Sequence, residues 1–126
     1  MLSTITTFRL QEIVGSQGGV ITNWLSSRPE ARATFRIRIK WLRQIKREAW
    51  SQNEFRNLGK GIWEIKWKTA NVQFRALGFD HARHFVLVIG CAHKQRVYDP
   101  HNCVDTARIR KAEVENGERT TINFEP

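Results

Sequence analysis

A chain of 126 residues is the length of one ordinary domain and can bury a core without disulfides or metal. With 40% hydrophobic residues, 5 Trp and 7 Phe, it is excluded from the disordered class. The 21 Lys and Arg against 12 Asp and Glu leave a formal charge of +9, which makes nucleic acid the first candidate partner and an acidic protein the second.

In chain order, residues 5–14 alternate imperfectly, with Phe8, Leu10 and Val14 on one face, and predict a first strand. Arg9, Gln11 and Glu12 stand where a signal peptide would have its apolar core, and no apolar run is long enough to span a bilayer. A cytoplasmic protein with no membrane contact is expected. The glycine-rich stretch Gly15-Ser16-Gln17-Gly18-Gly19 breaks the strand. A short helix is predicted over Val20–Ser26 from the spacing of Val20, Ile21, Trp24 and Leu25.

The clearest pattern covers residues 30–50. Ala31, Phe35, Ile39, Leu42, Ile45 and Ala49 form the apolar stripe of an amphipathic helix, with Pro29 suited to its start. Arg32, Arg36, Lys40, Arg43 and Arg47 line the other side. From Arg28 to Arg47 there are eight cations and one acid, Glu30, a local net of +7. Such a face is either a solvated helix side or a ridge for binding a polyanion.

After Gly59-Lys60-Gly61 the period becomes two. Trp63, Ile65 and Trp67 alternate with Glu64, Lys66 and Lys68, as in a half-buried strand. A tight connection at Thr69-Ala70-Asn71 leads to a second strand over 72–79, in which Phe74 and Arg75 face opposite ways. A turn is predicted over 80–84, then a nearly all-apolar central strand over 85–91. A helix over 104–116 ends at Gly117, and a short strand over 120–124 follows. Strand, two helices, a three-stranded antiparallel meander and a last helix predict a single α+β domain over 1–126, its helices packed on one face of a curved antiparallel sheet. Cys91 and Cys103 form no CxxC pair and are expected as reduced thiols. His81 and His84 lack the carboxylate or thiol neighbours a metal site needs, so neither metal nor cofactor is expected.

Three segments resemble the RelE/ParE toxin superfamily, in its HigB-like, phage-derived branch. They are Ile62-Trp63-Glu64-Ile65-Lys66, Phe74-Arg75-Ala76-Leu77-Gly78, and Ile89-Gly90-Cys91-Ala92-His93-Lys94 followed by Pro100 and a helix. The resemblance covers roughly residues 60–112, and the element order extends it. It implies a RelE-like fold and a toxin that cuts messenger on the ribosome without metal, held in check by a cognate antitoxin, commonly a helix-turn-helix protein. A gyrase-poisoning toxin of the ParE type and a basic RNA- or DNA-binding module that does not cut are the alternatives.

Metal-free RNA cleavage needs a base for the 2′-hydroxyl, cations for charge on the phosphate and an acid for the leaving oxygen. Arg75 is expected to grip a phosphate with its planar fork, or else to be a solvent-facing sheet arginine. Lys94 matches a lysine of the resemblance, with Arg96 a nearby cation; a plain loop lysine is the alternative. His93 titrates near neutrality, as an acid or base or simply as a surface histidine. Glu64 is a candidate base, or a partner of Lys66 or Arg75, and Lys68 shares its face. Tyr98 stacks on a base, donates a proton, or packs near Pro100. Where the resemblance places a stacking aromatic or histidine near the C-terminus, Phe124 stands, able to stack but not to transfer a proton. Arg36, Lys40, Arg43 and Arg47 are the expected docking cations.

Overall fold

The computed structural model describes residues 9–50 and 54–126. Its elements are β1 (Arg9–Gly15), β2 (Gly18–Gly19), α1 (Val20–Ser26), α2 (Pro29–Leu42), a 3-10 turn (Arg47–Ala49), β3 (Phe55–Gly59), β4 (Ile62–Thr69), β5 (Val72–His81), β6 (His84–Lys94), β7 (Val97–Asp99), α3 (Cys103–Glu115) and β8 (Thr121–Asn123). The α+β class holds. Residues 5–8 of the expected first strand, Phe8 among them, lie outside the described residues.

The meander β4–β5–β6 is present and β3 extends it, but the sheet is mixed rather than antiparallel. Its order is β2-β1-β6-β5-β4-β3, with β7 on β6 and β8 on β1. The first strand runs parallel to β6, with Leu10 opposite Phe85. The long crossover through α1 and α2 makes that direction possible, because parallel neighbours need a connection of a dozen residues or more. Three hairpins turn on two residues of positive φ, Ala70-Asn71, Ala82-Arg83 and Gln95-Arg96. This geometry matches the twist of the flanking strands. It also shortens the turn expected over 80–84 to Ala82-Arg83, since His81 pairs with His84.

Helices cover both faces, not one. On the first face, α1 and α2 enclose a core with Ile21, Leu25, Ala31, Phe35, Ile39 and Leu42 over Ile65, Trp67, Ala76, Phe85 and Leu87. Trp67 stacks on Phe35 at 4.2 Å between ring centroids, and its Nε1 donates to the Ala31 carbonyl. Trp24 lies over Gly90, where a Cβ would stand 2.2 Å from the indole, so only glycine fits there. On the second face α3 packs Cys103, Ala107 and Val114 against Ile62, Leu77, Phe79, Val86, Val88 and Cys91. The two faces are the two sides of a period-two pattern.

The second helix stops at Leu42 instead of running on to residue 50. Trp50 turns back so that its Nε1 donates to the Leu42 carbonyl, satisfying a helix-end acceptor. Arg47 leaves the helix surface for Asp80, donating through Nε and Nη2 at 3.1 and 2.9 Å. Its guanidinium also lies over the rings of Phe55 and Trp63, at 4.2 and 4.7 Å. These tertiary contacts outweigh continuation of the apolar stripe. Glu12, buried beneath α1, accepts from the amides of Ile21 and Thr22 at 2.8 Å each.

Candidate functional site

The third helix covers only part of its face. Beyond Cys91 the same side of the sheet carries polar residues: Glu64, Lys66 and Lys68 on β4, Gln73 and Arg75 on β5, His93 on β6 and Tyr98 on β7. The register aligns Lys66 with Arg75, Gln73 with His93, and His93 with Tyr98. Four residues singled out from the sequence, Glu64, Arg75, His93 and Tyr98, are thereby brought together.

Glu64 is the centre of the group and is only 1% exposed. Its Oε1 meets Arg56 Nε at 3.1 Å and Arg75 Nε at 3.7 Å. Its Oε2 accepts from the Tyr98 hydroxyl at 2.5 Å. A carboxylate so enclosed cannot touch a polymer, so the expected role of base is corrected to one of positioning. It pairs with Arg75 and Arg56, not with Lys66.

Arg75 is 8% exposed. Its Nη1 donates to the Phe74 carbonyl, and its Nη2 donates to Gln73 Oε1, both at 2.9 Å. The same Nη2 stands 3.3 Å from His93 Nδ1. The expected open fork is therefore occupied by neighbours in its own strand pair, with only an edge toward solvent. Burial lowers its pKa and Glu64 works against that, but a guanidinium stays a cation.

His93 is partly exposed and its ring lies 4.9 Å from that of Tyr98. Burial, then repulsion from Arg75, holds it below the usual imidazole value, so it is neutral at pH 7. Because an arginine only donates, Nδ1 accepts and the proton sits on Nε2. Burial, then the bond to Glu64, raises the Tyr98 phenol, which keeps its proton.

Arg56 escaped the sequence reading, because β3 did. Its side chain is 54% exposed, which makes it the accessible cation of the group. The signal was present in Phe55 and Leu58 ahead of the turn Gly59-Lys60-Gly61, whose three residues all adopt positive φ.

Other expected site residues lie elsewhere. Lys94 follows His93 on the strand, so its side chain takes the opposite face, 4.0 Å from Asp99. Arg96 occupies the exposed β6–β7 turn. Lys68 is exposed at the far end of β4, on the face of Glu64. Phe124 is fully buried, 5.7 Å from Phe35, because β8 returns it beneath α2 with its amide on the Leu10 carbonyl. A stacking role for Phe124 is ruled out by that position.

The four expected docking cations divide. Arg36 and Arg43 donate to the carbonyls of Pro126 and Phe124 and fasten the tail. Arg47 is absorbed by Asp80 and the aromatic rings, whereas Lys40 is exposed, as is Lys46 beyond the helix end. The docking ridge is thus thinner than the charge count implies. Neither a protein-family model nor a curated protein nor a solved structure matches this chain, so its own residues carry the assignment of chemistry. Among the described residues no helix is long and apolar enough to cross a membrane.

Proposed function

We propose that the protein is a cytoplasmic toxin of a toxin–antitoxin pair, a ribosome-dependent endoribonuclease of RelE/ParE type that cuts messenger without metal. The observation that carries the proposal is the convergence of Arg56, Glu64, Arg75, His93 and Tyr98 on the half of a sheet face that α3 leaves open. Glu64 holds two guanidinium groups and a phenol in fixed positions, which is the preorganisation that charge stabilisation requires. Arg56 and the lysines beside it, Lys66 and Lys68, supply contacts to the RNA backbone.

In this reading the scissile phosphate draws Arg75 off His93. That frees the Nδ1 lone pair of a neutral imidazole, a base suited to the 2′-hydroxyl at pH 7. Arg75 and Arg56 then meet the charge that develops on the phosphate as the 2′-oxygen attacks and the 5′-oxygen leaves. The leaving 5′-oxygen takes its proton from solvent, while Tyr98, its hydroxyl committed to Glu64, holds the His93 ring in place. The partner that silences the toxin would be an antitoxin, of helix-turn-helix type by the resemblance.

Induced expression tests this. Growth should stop and messenger should shorten at preferred codons, while Arg56→Ala and His93→Gln, both at accessible positions, restore growth with the fold intact. Arrest with intact transcripts and broken DNA would point to gyrase. No arrest, with salt-sensitive retention of RNA, would leave a binding module.

A further inference from the structure

The two cysteines are placed together by elements the proposed RNA chemistry does not use. Cys91 projects from β6 toward α3, and Cys103 begins α3, its amide on the Pro100 carbonyl. Both are fully buried in the same core cluster, and their sulfurs are 2.7 Å apart. Two unbonded sulfurs normally rest well beyond that separation, and a disulfide draws them to about 2.05 Å. Strand and helix thus hold the pair inside van der Waals contact, so closing the bond needs little further movement of either backbone.

We propose that Cys91 and Cys103 are a redox modification site, closing to an intramolecular disulfide when met by a small-molecule disulfide such as oxidised glutathione. Access decides the order of events. Cys91 lies within the sheet, on β6 and paired with Arg75 of β5, whereas Cys103 lies in the first turn of a helix, behind the exposed Pro100, His101 and Asn102. Helix ends open locally at far lower cost than central strands. The Cys103 thiolate therefore attacks first, breaks the glutathione S–S bond, releases one glutathione thiol and carries the other as a mixed disulfide. The Cys91 thiolate then attacks the Cys103 sulfur and expels the second glutathione. The protein loses two protons and two electrons, and one oxidised glutathione becomes two reduced ones.

The bond would fasten α3 to the strand beside Arg75, since Cys91 is the register partner of Arg75 across β5–β6. It would fix the boundary between the covered and the open half of the face. A reducing glutathione pool would reopen it.

The test uses the whole chain, equilibrated with oxidised glutathione in a urea concentration that loosens α3, then returned to buffer, denatured and alkylated. A monomer that has lost two hydrogens and takes up no alkyl group is expected, with a melting temperature roughly 5 °C above the reduced protein. Cys91→Ser under the same treatment should retain one glutathione on Cys103, Cys103→Ser should retain almost none, and neither should show such a rise. Two alkylated cysteines after treatment, a persistent mixed disulfide on the unmutated chain, or bridges found only in dimers would overturn the proposal.

Discussion

The two faces of the sheet are built from the same strands in opposite ways. On the α1/α2 face, aromatic rings from β3, β4, β5 and β6 pack against the helices in one continuous cluster. On the α3 face the apolar surface stops at Cys91, and charged side chains continue the rows: Glu64 after Ile62 on β4, Arg75 before Leu77 on β5, His93 after Cys91 on β6. One face stabilises the protein. The other is divided between packing and a polar group that burial alone would not favour, since enclosing Glu64 and Arg75 costs desolvation free energy that only their mutual pairing offsets.

The largest way to break this contrast lies on the aromatic face. Phe124→Ala should cost about 3–5 kcal/mol by urea denaturation, because it empties a fully buried site against Phe35. If Phe124 instead acted on RNA, stability would hardly change and activity would fall. On the divided face, Glu64→Gln keeps the shape but leaves Arg56 and Arg75 without a counter-charge. A loss of roughly 2–3 kcal/mol is expected, together with a rise in mobility of both guanidinium groups seen by NMR.

Arg47→Ala should cost about 1–3 kcal/mol through loss of its fork on Asp80 and its place over Phe55 and Trp63. A value near zero would restore it to the solvated ridge expected from the sequence. Smallest is Lys40→Ala, with stability unchanged within about 0.5 kcal/mol and only the salt dependence of RNA binding reduced.

The contrast between faces is legible in the alternation of Trp63, Ile65 and Trp67 with Glu64, Lys66 and Lys68, while the all-apolar run over 85–91 marks the central strand and helical spacing marks both long helices. What escaped detection was non-local or short. The parallel pairing of β1 with β6 depends on residues more than seventy positions apart, Leu10 and Phe85. The last hairpin turns on Gln95-Arg96, which carry no glycine or asparagine to announce positive φ. Without β3, Arg56 could not be joined to Glu64. Lys94, expected in a loop, is the last residue of β6, and alternation sends it to the other face. Nothing local to Phe124 reveals that β8 tucks the tail under α2.

The state of His93 sharpens the same comparison by pH. Its folded pKa lies below the unfolded value of about 6.5. The native state therefore binds its proton later than the unfolded chain as pH falls. The associated stability is complete above about 6.5 and is lost as pH falls through the folded value. An NMR titration should place the His93 midpoint below that of a free imidazole, and Arg75→Gln should move it upward by removing the repelling cation. An unchanged midpoint in Arg75→Gln would break the link between the two residues.

The central claim is that the open half of the α3 face cuts RNA, and the ends of the products test it most directly. With purified protein and translating ribosomes, cleaved messenger should carry 5′-hydroxyl ends and cyclic or open 3′-phosphates, the signature of 2′-hydroxyl attack. His93→Gln and Arg56→Ala should each slow the cut at least tenfold while remaining folded. Products with 5′-phosphate ends, or full activity in both variants, would contradict the account.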